Sequence, residues 1–149
     1  MIATADTQYN VAQDALTGQG IAPNDVSSGV RLTIIEDDAA LASLLASACR
    51  HIGFDVTLIT DEQSYRRQRS KTIPDVLLLD LNVGFGTGLD CLERFIAEGF
   101  TGYVLLMSGC DERVFRFSED ICRKLGARLL ASLAKPFELK DLTDYLTPI

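Results

Sequence analysis

From Val30 onward the chain alternates five times between a short β-rich apolar run and a segment whose apolar residues recur at helical spacing. Few folds accept that alternation. Parallel strands cannot be joined by a tight turn, so each needs a crossover, and the intervening helices supply it while covering both faces of the sheet. The run Val76-Leu77-Leu78-Leu79 is apolar without a break, as expected of a central strand buried on both sides. The predicted architecture is α/β: a doubly wound five-stranded parallel sheet with flanking helices.

The same patterns place the elements. Strands are expected over 31–35, 54–59, 76–79, 103–107 and 129–134. Asp38 is a natural N-cap for a first helix in which Leu41, Leu44, Leu45, Ala48 and Ile52 recur up to Gly53. Residues 62–70 give a polar, weakly patterned helix whose Arg66, Arg67 and Arg69 read as solvated. Leu89, Leu92 and Ile96 mark a third helix facing the core, Val114, Phe117, Ile121 and Leu125 a fourth, and Leu139, Leu142 and Leu146 a fifth. Residues 1–29 carry Gly18, Gly20, Pro23, Asn24, Ser27 and Ser28 with little periodicity, apart from a short helical pattern at 10–16. They are expected to be a flexible leader, and residues 30–149 one domain.

A chain of 149 residues, 47% of them hydrophobic, can bury one real core. Its net charge of −7, without a clustered Lys/Arg face, argues against nucleic-acid binding. No apolar stretch exceeds strand size, and Met1 to Asn10 contains no basic residue ahead of an apolar core. No membrane span or signal peptide is therefore expected, and the predicted location is cytoplasmic. Cys49, Cys91, Cys110 and Cys122 lack paired C-x-x-C spacing. The three in helical segments read as small buried residues, and Cys110, beside the Ser108-Gly109 pair, as a bystander. His51, the single histidine, ends a helix far in sequence from any acid cluster and reads as a packing or surface residue.

Glu36-Asp37-Asp38, Asp80, Ser108 and Lys135-Pro136 each close an apolar run. In an open parallel sheet the carboxyl ends of neighbouring strands share one crevice, so residues 43, 28 and 27 positions apart can meet there. Crowded carboxylates repel, and a hard divalent cation with oxygen ligands, Mg²⁺ first among them, neutralises them. Metal, hydroxyl and ammonium together suit a phosphoryl group. The glycine-rich stretch Gly84-Phe85-Gly86-Thr87-Gly88 is not a P-loop, because its spacing is wrong and no lysine follows.

The motifs Ile34-Ile35-Glu36-Asp37-Asp38, Val76-Leu77-Leu78-Leu79-Asp80-Leu81-Asn82, Leu105-Leu106-Met107-Ser108-Gly109 and Lys135-Pro136-Phe137, in this order and spacing, resemble the receiver domain of two-component response regulators. The resemblance covers residues 30–149 and implies a flavodoxin-like fold. It implies that Asp80 is the phosphoacceptor, since a carboxylate can take a phosphoryl group as an acyl phosphate. It further implies that Glu36, Asp37 and Asp80 hold Mg²⁺ together with the backbone carbonyl of Asn82, that Lys135 neutralises phosphoryl oxygens, and that the Ser108 hydroxyl turns inward to the new phosphoryl group. Asp38 matches no metal position and is expected to begin the first helix. A cis bond is expected between Lys135 and Pro136, where the chain must turn while aiming the lysine into the crevice.

The implied function is a single-domain response regulator that takes phosphate from a histidine kinase or histidine phosphotransfer protein and signals by protein contact to a target the sequence does not identify. It is a self-directed switch and not a turnover enzyme. That helix five finishes near Ile149, with no output module after it, motivates the single-domain expectation. Two departures bear on output. Ser132 stands where most receivers carry an aromatic that reports phosphorylation, and the stretch 126–134 looks a couple of residues long. In addition, Val83-Gly84 replaces the familiar Met-Pro. A haloacid dehalogenase type phosphatase shares the Asp-x-Asp pattern, the later Ser/Thr and the later Lys, but Asn82 occupies its general-acid position and the acidic pair here precedes the nucleophile. A pseudo-receiver serving only as an interaction surface is the third reading.

Overall fold

The computed structural model describes residues 29–68, 72–109 and 111–147. Apart from Gly29, the expected leader lies outside the described residues, as do the helical pattern at 10–16, Arg69 and Cys110. Strand β1 (Arg31–Ile35) leads into helix α1 (Ala39–His51), and β2 (Asp55–Ile59) into α2 (Glu62–Gln68). After β3 (Val76–Asp80) comes a small hairpin, β4 (Asn82–Val83) and β5 (Gly86–Thr87), and then α3 (Gly88–Ala97). Strand β6 (Tyr103–Ser108) precedes α4 (Glu112–Lys124), and β7 (Arg128–Ala134) precedes α5 (Leu139–Leu146).

The main sheet has the order β2-β1-β3-β6-β7, with every pairing parallel. Counted along the sheet strands alone, this is the 2-1-3-4-5 order of flavodoxin-like folds. Successive residues alternate between two cores, as the pleat requires. Ile34, Leu78 and Met107 pack with Leu45, Cys49, Leu142 and Leu146 of α1 and α5. Ile35, Leu79 and Leu106 pack with Tyr65, Leu92, Phe95, Phe115 and Cys122 of α2, α3 and α4. Strand β3, central and covered on both sides, is buried at all five positions.

The helix starts are set chemically. Asp38 Oδ1 accepts from the Leu41 N–H at 3.1 Å, Thr87 Oγ1 from Asp90 at 3.2 Å and Asp111 Oδ1 from Val114 at 3.0 Å. Each such cap stabilises by about 1 kcal/mol. Asp38 thus begins α1, as expected.

Helix α4 forms where the spacing of Val114, Phe117, Ile121 and Leu125 marks it, but its buried residues are the neighbouring Phe115, Ser118 and Cys122, with Leu125 packed partly buried against the same core. Val114 is 46% and Phe117 67% exposed. Ser118 can go inside because its hydroxyl donates to the Val114 carbonyl at 2.8 Å. Leu44 of α1 is likewise exposed, with Ala42, Leu45, Ala46 and Cys49 facing inward. The hairpin β4–β5 was not anticipated. In β7 the register against β6 shifts between Val104↔Leu129 and Leu105↔Ala131, so Leu130 is an extra residue in a bulge. That bulge takes up part of the added length seen in 126–134.

The helical cysteines are buried as expected, and burial pushes the Cys49 thiol up to about 12 and those of Cys91 and Cys122 up to about 11. They are packing residues. His51 is exposed at the end of α1. Among the described residues, no helix is long and apolar enough to cross a membrane.

Candidate functional site

Backbone ladders carry the site residues to one place. The Glu36 N–H donates to the Ile59 carbonyl at 3.1 Å, extending the β1–β2 pairing one residue past β1. Asp80 is the last residue of β3, paired with Met107, and Leu81 donates to the Met107 carbonyl at 2.9 Å. The Lys135 N–H donates to the Ser108 carbonyl at 2.8 Å, which holds the lysine beside the end of β6. The Lys135-Pro136 peptide is cis, as expected.

Side chains then meet. Lys135 Nζ lies 2.6 Å from Glu36 Oε2 and 2.9 Å from Asp80 Oδ2. Glu36 and Asp80 are buried, whereas Asp37 is exposed at the rim. Oxygens of Glu36, Asp37 and Asp80 lie within 4.8 Å of one another. Each carboxylate also takes one backbone N–H: Asp38 donates to Glu36 Oε1 at 3.2 Å, Asn82 to Asp80 Oδ1 at 3.1 Å and Gly84 to Asp37 Oδ2 at 2.9 Å.

The electrostatics follow from burial. Removal from water pushes the Glu36 carboxyl above its ordinary range, the bonds from Lys135 and the Asp38 amide pull it back, and the Asp80 charge raises it further. For Lys135, burial acts to lower the ammonium, but the hydrogen bonds it donates to Glu36 and Asp80 and the charges of those carboxylates outweigh it and hold the group above its usual value. Three carboxylates against one ammonium leave two formal negative charges. That matches a divalent cation, and an all-oxygen donor set selects a hard one.

Beside Asp80 and Lys135 opens a cleft of about 690 Å³, lined also by Asn82, Ser108, Thr87, Leu89, Val114, Phe117 and Ser118. All the expected site residues, Glu36, Asp37, Asp80, Asn82, Ser108 and Lys135, therefore gather at one end of the sheet. The sequence reading missed the roles of two glycines. A Cβ on Gly88 would sit 2.1 Å from the Asp80 carbonyl oxygen, so only glycine lets α3 start against the acceptor strand. Gly84 supplies the Asp37 contact. The glycine-rich loop was the available signal. It also missed Val114 and Phe117 as cleft lining, because their spacing looks like core.

The fold and this strand-end cluster define a doubly wound α/β domain with a carboxylate–lysine site at the carboxyl ends of its parallel strands. The family model for the response regulator receiver domain matches residues 32–147, and the chain belongs to that family. Among curated relatives, it is 27% identical over 108 residues to the regulatory protein VirG of Agrobacterium tumefaciens, an alignment covering 72% of this chain and 39% of VirG. It is 29% identical over 112 residues to the DNA-binding response regulator MtrA of Mycobacterium tuberculosis, covering 75% of this chain and 46% of MtrA. The chain thus spans less than half the length of these relatives. In structure it resembles the receiver domain of the sensor histidine kinase PA1611 from Pseudomonas aeruginosa, solved with a magnesium ion in its active site cleft. That match has a TM-score of 0.62 at 20% identity and covers 80% of this chain and 95% of the other. Family membership sets the dehalogenase-type reading aside.

Proposed function

We propose that Asp80 accepts a phosphoryl group from the phosphohistidine of a histidine kinase or histidine phosphotransfer protein. The observation that carries this reading is the Lys135 ammonium bridging Glu36 and Asp80 at the mouth of an open cleft. A carboxylate oxygen of Asp80 bonds to phosphorus as the phosphorus–nitrogen bond breaks. The electron pair stays on the imidazole nitrogen, which takes a proton from solvent. Such transfer needs alignment and charge neutralisation more than covalent help. Lys135 supplies a cation beside the acceptor, and Ser108, buried next to it, supplies a hydroxyl for a phosphoryl oxygen. Water attack on the phosphorus later restores the carboxylate and releases inorganic phosphate, so the chemistry is self-directed.

Mg²⁺ fits the oxygen cluster, with Glu36, Asp37, Asp80 and the backbone carbonyl of Asn82 as its holders. When bound, it supplies positive charge that offsets the phosphoryl oxygens. Output is a change in affinity for another protein, acting in the cytoplasm. The net charge of −7 supports a protein partner over direct nucleic-acid contact by this domain. Residues 30–149 act as the receiver unit, with the residues before them as its leader.

The test is phosphotransfer from a phosphorylated histidine phosphotransfer protein with Mg²⁺. Wild type should gain one acid-stable, base-labile label, while Asp80→Asn and chelator-treated protein gain none. Label surviving in Asp80→Asn, or steady hydrolysis of a generic phosphomonoester, would overturn the assignment.

A further inference from the structure

Each carboxylate of the cluster has one oxygen on a backbone N–H, but the remaining oxygens differ. Those of Glu36 and Asp80 are taken by Lys135, at 2.6 and 2.9 Å. Asp37 has no share in that ammonium; among the described residues its side chain is held by one donor, the Gly84 N–H, at 2.9 Å on Oδ2. One of its carboxylate oxygens lies within 4.8 Å of oxygens of Glu36 and Asp80. Asp37 is also the exposed member of the three, so without that donor its side chain is the one with rotamer freedom to lose on binding a cation. Gly84 sits in the turn of the β4–β5 hairpin, whose pairings Asn82↔Thr87 and Val83↔Gly86 fix where its amide points. A Cβ there would come within 3.1 Å of Asp37 Oδ2, so the loop and the carboxylate are already in close contact.

We infer that the Gly84 N–H is a positioning group for the divalent cation: it fixes Asp37 so that one oxygen faces the other two carboxylates before metal arrives. This rests on the metal reading proposed above. Residue type matters here, because a proline, which the family resemblance leads one to expect at this position, has no N–H to give.

Calorimetric Mg²⁺ titration of the full chain tests it, using wild type, Gly84→Pro, Gly84→Ala and Asp80→Asn. Gly84→Pro should bind about 3- to 10-fold more weakly, the scale of one ordinary net hydrogen bond, which fits an exposed carboxylate that water can still solvate. Gly84→Ala keeps the N–H and, although its Cβ presses on Asp37 Oδ2, should bind more tightly than Gly84→Pro. Equal affinity in Gly84→Pro, or equal weakening in Gly84→Ala and Gly84→Pro, would overturn the inference. Wild-type binding that Asp80→Asn leaves unchanged would instead overturn the metal reading itself. Amide exchange gives a readout that does not need the proline variant to fold well. The Gly84 amide should be protected in metal-free wild type and lose that protection in Asp37→Ala, and fast exchange in wild type would count against the role.

Discussion

The carboxylate cluster and the face of α4 near it are built differently. In the cluster the polar groups are tied down: Lys135 joins Glu36 and Asp80, and three backbone amides each hold one oxygen of the three carboxylates. On α4, Phe117 and Val114 stand out toward solvent, and the Ser118 hydroxyl donates within its own helix. In β7, next to β6, the Ser132 hydroxyl is buried with no hydrogen-bond partner among the described residues. The cluster is preorganised for charge; α4 keeps exposed apolar surface. Preorganised dipoles favour chemistry because nothing need reorganise during transfer. A response needs the opposite, an element whose equilibrium a phosphoryl group can shift.

Helix α4 offers the largest contrast to probe. Phe115→Ala should cost about 3–5 kcal/mol by emptying the core, whereas Phe117→Ala should stay within about 0.5 kcal/mol, as measured by denaturant unfolding. Similar losses in both would mean that the exposed stripe is not exposed in solution. Next in size, Lys135→Ala should slow transfer to Asp80 by about 100- to 1,000-fold, the scale of removing one preorganised charge-stabilising donor. A rate within threefold of wild type would show that the ammonium is structural. Smaller still is Ser108→Ala. We expect transfer to change by less than about tenfold while the phosphorylation-dependent change in partner affinity falls sharply, because a single neutral hydroxyl contributes about 1 kcal/mol. If the phosphorylated Ser108→Ala protein bound its partner as wild type does, the switch role of Ser108 would be wrong.

Much of the preorganised cluster was legible in the sequence, because each of its residues closes a strand whose apolar run is unambiguous. Asp80 follows four consecutive apolar residues, and Lys135 is followed by a proline. Which face of α4 turns inward was not legible, for a physical reason. Phe115 and Phe117 sit on adjacent stripes of one helix, and the stripe richer in large apolar residues carries the exposed Val114 and Phe117. A serine that bonds its own helix and a small cysteine fill the inner stripe, and neither scores as core by pattern. The β4–β5 hairpin is only two residues a side, too short for any periodicity. The bulge at Leu130 showed only as surplus length. The Gly84–Asp37 bond joins residues 47 apart and leaves no trace in local pattern.

Amide chemical-shift mapping with and without beryllofluoride, in the presence of Mg²⁺, bears most directly on the division between a fixed carboxylate cluster and a movable α4. With Ser132 where an aromatic reporter is expected, the change should run through the backbone after Ser108. Once direct contacts around Asp80 are set aside, the account predicts the largest shifts at Gly109 and at residues 111–118, with the α1–α5 core nearly still. Beryllofluoride demonstrably bound, with Gly109 and 111–118 unmoved, would contradict it and leave a passive phosphate carrier in place of a switch.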